Sequence, residues 1–236
     1  MKKIFTLIAV AAMAISANAQ ESYVVSNAEG KAPVADESVQ ASASVKLTYG
    51  NDTFEYKENG EVTGFTAYVV GKNNPKDASD AGYSADNKKL PTKGCYYILE
   101  TTKGGTFVWG VQLNQDKEFY VTDGEGNCLN ETINAKFVQD DKTALTPTTG
   151  AKGGLVLAEK LKGFITFTIP AAGKYYVFNT GGKLGFYGFT FTAGGESGIA
   201  SVKAAKANAA EYNLAGQKVA AGFKGLVIKD GKKVIK

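Results

Sequence analysis

The sequence predicts an all-β protein: an antiparallel β-sandwich, jelly-roll-like, with a small C-terminal β appendage. Three observations carry that expectation. Several segments alternate apolar and polar residues with a period of two, turn chemistry separates them, and no convincing amphipathic helix lies between them.

Residues 1–19 come first, with two lysines, an apolar run from Ile4 to Ile15, and Ala17-Asn18-Ala19 before Gln20. That is the pattern of a secretory signal peptide, and cleavage is expected after Ala19. The apolar run is shorter than the ~20 residues that span a bilayer, and no later segment is long enough, so no membrane span is expected in the mature chain. Gln20, not a cysteine, directly follows the cleavage site, which argues against a lipid anchor. The expected location is the periplasm, the outer-membrane surface or the medium.

The body, residues 20–194, reads almost entirely as strand. In "TFVWGVQLN", Phe107, Trp109, Val111 and Leu113 share one face, and Thr106, Val108, Gly110, Gln112 and Asn114 the other. In "GFITFTI", Ile165, Phe167 and Ile169 oppose Phe164, Thr166 and Thr168. "SVKLTYG", "FTAYVVG", "CYYILET", "EFYVTD" and "KYYVFNT" continue the series, punctuated by "YGND", "KNNP", "TKGG", "DGEGN" and "NTGGK". Lys72 to Lys93 is the least strand-like stretch and is expected to be a long loop. Residues 195–210, rich in small side chains, read as a linker.

Residues 211–236 hold strand material again, with hairpin turns at Ala215-Gly216 and Asp230-Gly231. The elements "YNLAGQKV", "GLVIK" and "KDGKKVIK" resemble the C-terminal sorting domains of type IX secretion cargo, though this tail is shorter than most of them. The resemblance implies a partner in the export machinery. A small β appendage without that role is the alternative.

Composition excludes several functions. All 27 basic residues are lysine, with no arginine and no histidine. The guanidinium fork that clamps phosphates and the imidazole that moves protons near neutral pH are both missing. From 198 to 236, eight lysines face Glu211 and Asp230, a balance of +6, so residues 20–197 carry 17 lysines against 21 acids, or −4. The body therefore has no charge-based affinity for nucleic acid.

Cys95 and Cys128 could close a loop worth ~3–4 kcal/mol in an oxidising compartment, and a disulfide between them is expected. Two unpaired thiols are the alternative. A zinc or nucleophile role lacks its histidine partners.

The stretch "GKYYVFNTGGKLGFYGFTFT", Gly173 to Thr192, holds seven aromatic rings and five glycines. A bulge at Gly188 would put Phe186, Phe189 and Phe191 together in the core and turn Tyr187 outward. Tyr187, beside Lys183 and Gly181-Gly182, is then the ring expected to be exposed. This stretch and "GVQLNQDKEFYVTDGEGN" resemble β-sandwich accessory modules of secreted, pectate-lyase-associated and other polysaccharide-acting bacterial proteins. The resemblance implies a jelly roll closed by an aromatic strand, without its companion enzyme; pectate lyases use an arginine base that this chain lacks.

The inventory suits sugars, whose apolar faces stack on aromatic rings and whose hydroxyls bond to amides and lysine. Candidate platforms are Tyr187, Tyr83, Tyr96 and Tyr97, with Asn114, Gln112, Asn179 and Lys183 as polar partners; Trp109 belongs by phase to the core. No cofactor is expected. Calcium is the ion to weigh, through Asp123, Glu125 and Asn127 or Asp77, Asp80 and Asp86, although neither run completes a known calcium loop. The expected function is non-catalytic binding of extracellular polysaccharide or glycan. The alternatives are a structural or adhesive surface protein and a carboxylate-only glycoside hydrolase or lyase.

Overall fold

The computed structural model describes residues 20–26, 31–58, 61–130, 135–181 and 184–194, together with the backbone of 212–213, 226–229 and 232–235. The signal-peptide segment, Lys183, the linker and most of the tail lie outside the described residues. Two compact units divide the chain, Met1–Gly195 and Glu196–Lys236.

In chain order the first unit opens with β1 (Gln20–Val24), β2 (Ser38–Gln40), β3 (Val45–Tyr49), β4 (Phe54–Glu58) and β5 (Ala67–Gly71). Next come β6 (Tyr96–Thr101), β7 (Gly105–Leu113), β8 (Phe119–Asp123) and β9 (Lys136–Gln139). The short β10 (Ala144–Leu145), β11 (Thr148–Thr149) and β12 (Leu155–Val156) precede the long β13 (Leu161–Ile169), β14 (Gly173–Asn179) and β15 (Gly185–Ala193).

All pairings are antiparallel and make two sheets. The first runs β10-β9-β13-β7-β15-β5-β4, with β1 also on β15; the second runs β11-β12-β8-β14-β6-β3-β2. From β5 onward the chain passes back and forth between the sheets in the manner of a jelly roll. The fold is thus an all-β sandwich. Among the described residues no helix is long and apolar enough to cross a membrane.

The core follows from the alternation. Phe107, Trp109, Val111 and Leu113 of β7 and Ile165, Phe167 and Ile169 of β13 all point between the sheets and are buried. On β15 the register slips between Phe186, opposite Val111, and Gly188, opposite Gly110. Gly188, with φ of 140°, makes this bulge, and the extra residue brings Phe186, Phe189 and Phe191 into the same core. The indole of Trp109 stacks on Phe186 with centroids 4.2 Å apart.

The strand β1, which periodicity did not single out, ties the two sheets together. It pairs with Gly188–Thr192 of β15 and lays Tyr23 on Phe186 and Phe189. Across the sandwich, Glu21 takes hydrogen bonds from the Ser42 hydroxyl and from the Ser44 hydroxyl and backbone N–H. Burial works against the Glu21 charge, but these bonds and nearby Lys103 outweigh it and hold the carboxyl below its usual range. A depressed folded-state value means that this contribution is complete above the ordinary carboxylate range and is lost as pH falls through the lowered value. Wild type is therefore expected to exceed Glu21→Gln in urea midpoint at neutral pH, with the gap narrowing as pH falls below the ordinary carboxylate range and through the lowered value.

In the second unit, β16 (Tyr212–Asn213), β17 (Leu226–Lys229) and β18 (Lys232–Ile235) form an antiparallel sheet with β17 in the middle. The hairpin turns expected at Ala215-Gly216 and Asp230-Gly231 lie outside the described residues.

Candidate functional site on the outer face of the first sheet

Burial of the rings chosen from the sequence is the main correction. Tyr187 does turn to the outer face of its sheet, yet it is only 1% exposed. Phe65 and Tyr68 cover it, with centroids 5.9 and 4.8 Å away, and this burial pushes its hydroxyl up to about 12. Tyr97 points into the core and donates to the Leu184 carbonyl at 2.9 Å. Tyr96 and Tyr83 are buried on the opposite side of the second sheet, in a cluster with Tyr120 and Phe178.

The expected long loop completes that cluster, packing Tyr83 against the sheet. Tyr83 stands edge-on to Tyr120 and Phe178 and donates to the Gly126 carbonyl at 2.9 Å, while Ala85 N–H bonds the Lys152 carbonyl. Burial accordingly pushes the Tyr83 hydroxyl up. Asn179 is fully buried, and its amide has no hydrogen-bond partner among the described residues. Tyr83, Tyr96, Tyr97, Tyr187 and Asn179 therefore offer no surface to a ligand in this conformation. Gln112 and Asn114 remain half-buried, with Gln112 on the outer face opposite Lys162 and Gly185.

The expected disulfide is corrected as well, because Cys95 and Cys128 are not joined. Cys95 belongs to the core between the sheets, whereas Cys128 packs on the outer cluster of Tyr83, Tyr96, Tyr120 and Phe178. They lie on opposite sides of the second sheet. The Cys95 Sγ sits 3.5 Å from the Leu184 carbonyl, and burial pushes its thiol up. It is expected to resist alkylation in the native protein and to react on unfolding, as mass spectrometry of iodoacetamide-treated samples would register.

The acidic runs weighed for calcium are engaged as turn formers. Asp123 accepts from the Glu125 and Asn127 N–H groups and from the Asn127 amide. Asp77 likewise accepts from Ser79 and Ala81. Among the described residues no three acidic or cysteine side chains gather as a metal site.

What covers Tyr187 is the distinctive feature of the sandwich. Residues 61–66, between β4 and β5, reach across the outer face of the first sheet toward β9 and β13. Their far end is held by an ion pair of Glu61 with Lys162 and by Thr63, whose N–H and hydroxyl bond Asp140 at 2.6 and 2.9 Å. Val62 is buried beneath. Phe65 then lies on a floor of two glycines: a Cβ at Gly110 would come within 3.1 Å of its ring, and one at Gly188 within 2.9 Å. Gly185 makes similar room for Tyr68, 3.2 Å from where its own Cβ would be. Gly185 and Gly188 of "GKLGFYGFTFT" are seats for rings that arrive from elsewhere in the chain.

The result is a chain of four rings across β5, β15, β7 and β13. It runs Tyr68 to Tyr187 to Phe65 to Phe164, the last pair 6.1 Å apart. Tyr187 is the buried post, while Phe65, Tyr68 and Phe164 each keep part of their surface in solvent. The chain matches no protein-family model and no curated protein.

Beside Phe164 opens a cleft of about 310 Å3 lined by Glu61, Gln139, Asp140, Asp141, Glu159 and Lys162 among others. Contact with Lys162 holds the Glu61 carboxyl below its usual range, and hydrogen bonds from Thr143 do the same for Asp141. At the other end, beside Tyr68, Lys57 and Lys72 bind Glu55 at 2.8 and 3.1 Å and draw its carboxyl down to about 2. The outward phase of Phe164 was legible in "GFITFTI", and Tyr68 stands out of phase with Ala67 and Val69. Phe65 opens the segment "FTAYVVG" read as a strand, whose alternation would put it on the side of Ala67 and Val69; β5 starts only at Ala67, and Phe65 lies on the outer face instead.

Proposed function

We propose that the protein is an exported, non-catalytic module that binds extracellular polysaccharide or glycan on the outer face of its first sheet. The observation that carries this reading is the chain of rings Tyr68, Tyr187, Phe65 and Phe164, three of them part-exposed, which ends at a polar cleft. Pyranose rings present C–H faces that stack on such aromatics, and Gln112, Thr143 and the cleft carboxylates supply hydrogen-bond partners for hydroxyls. The platform differs from the one read in the sequence: Phe65, Tyr68 and Phe164 take the place of the buried tyrosines.

Two further features support binding over the alternatives. The sheet edges are poor templates for strand addition, since β10 and β11 have two residues each, β2 has three, β4 carries Glu55 and Lys57, and β1, paired only with β15 among the described residues, turns the charged Glu21 toward Ser42 and Ser44. Glu61 and Asp141 in the cleft are both held ionised, whereas a glycosidase acid needs a raised carboxyl.

Affinity electrophoresis in gels containing plant and host polysaccharides tests the proposal, with Phe65→Ala/Tyr68→Ala as the paired variant. Retardation by a polysaccharide that the folded variant loses is the expected result. Absence of retardation by any glycan, or retardation indifferent to the variant, would overturn the site.

A further inference from the structure

We infer that the occupant of this face is a single, neutral, soluble glycan chain, neither a uronic-acid polymer nor the face of a crystalline polysaccharide; the inference rests on the glycan reading above. Its first support is the charge pattern. A polyanion brings a carboxylate on most of its sugars and needs unpaired cations to meet them, most effectively arginine forks. This chain has no arginine, and the lysines flanking the rings already hold carboxylates. Lys57 and Lys72 share Glu55, and Lys162 holds Glu61. The cleft adds Asp140, Asp141 and Glu159, while Lys160, close enough to act on Glu61, and Lys136, opposite Thr166, contribute two cations at the margin. A uronate chain laid along the rings would meet more negative than positive charge in the cleft. The hydroxyls of a neutral chain meet acceptors instead, and hydrogen bonds to ionised carboxylates are the stronger kind.

The second support is the set of ring planes. A flat crystal face needs coplanar rings. Here Phe65 and Phe164, two of the part-exposed rings, are inclined by 46°. The surface the rings make is therefore twisted, as expected for side chains standing on a twisted sheet. Only a chain free in solution, whose successive sugars rotate about their linkages, can follow it.

The test uses the full mature chain and three kinds of probe. Affinity gels carry galactomannan or mixed-linkage β-glucan, parallel gels carry polygalacturonate, and sedimentation assays use microcrystalline cellulose and chitin. The expected result is retardation by a neutral soluble polysaccharide, at least about tenfold tighter than by polygalacturonate, little changed by salt and lost in Phe65→Ala/Tyr68→Ala. Preferential retention by polygalacturonate, or by the crystalline solids, through the same two rings would overturn this inference and leave the glycan reading standing. If no polysaccharide retains the protein, both fall.

Discussion

Gly188→Ala is expected to destabilise the sandwich more than any exposed substitution and to do so without touching a large core side chain. At φ of 140° glycine alone is comfortable, and a Cβ there would meet the Tyr23 carbonyl at 2.2 Å and the Val24 Cα at 3.0 Å. Both are backbone atoms of β1, so relief requires moving the strand that joins the sheets through Tyr23 and Glu21. Backbone strain and overpacking together come to roughly 2–5 kcal/mol, or a fall of roughly 5–20 °C in Tm for a domain of this size. Gly181→Ala is the control, because its Cβ would meet only the Lys117 side chain, at 3.5 Å. Differential scanning calorimetry of the two variants checks the claim, and equal melting temperatures would show that the bulge carries no special load.

Phe65→Ala/Tyr68→Ala is expected to remove glycan binding while leaving the fold in place. Both rings lie on the outside of the first sheet, away from Trp109 and the phenylalanines of the core, and both keep part of their surface in solvent. Each aromatic anchor is worth roughly a factor of ten in affinity, about 1.4 kcal/mol, so the pair should weaken retention by about two orders of magnitude. Tyr187→Ala is a poor substitute, because removing a buried post would leave a cavity under the remaining rings and confound binding with stability. Near-wild-type far-ultraviolet circular dichroism with lost retention is the expected outcome for the double variant. A folded variant that binds as well as wild type would exclude this face as the platform.

The two variants bear on different layers of one design, and they mark how far local pattern reaches. The period of two is a property of the extended backbone, so the inward set Phe107, Trp109, Val111, Leu113, Ile165, Phe167 and Ile169 was legible from alternation alone. So was the bulge, because an extra residue at a glycine is what brings Phe186, Phe189 and Phe191 to one side, and with it their shared core.

What lies over the outer faces was not legible. Tyr187 turns outward as its phase requires, but whether that means solvent depends on residues 61–66, more than a hundred positions earlier, lying across it. Tyr83 meets Tyr120 and Phe178 only because the loop from Lys72 to Lys93 folds back onto the second sheet, where Tyr96, Phe178 and Tyr120 are cross-strand neighbours. Cys95 and Cys128 fall on opposite sides of that sheet, a fact that their spacing along the chain does not contain. By itself the sequence determined which residues point to each side of each strand, since chirality and pleat act locally. Only the tertiary structure decided which outward side chains reach water, because burial depends on segments far away in the chain, and that choice moved the candidate platform from Tyr187 to Phe65, Tyr68 and Phe164.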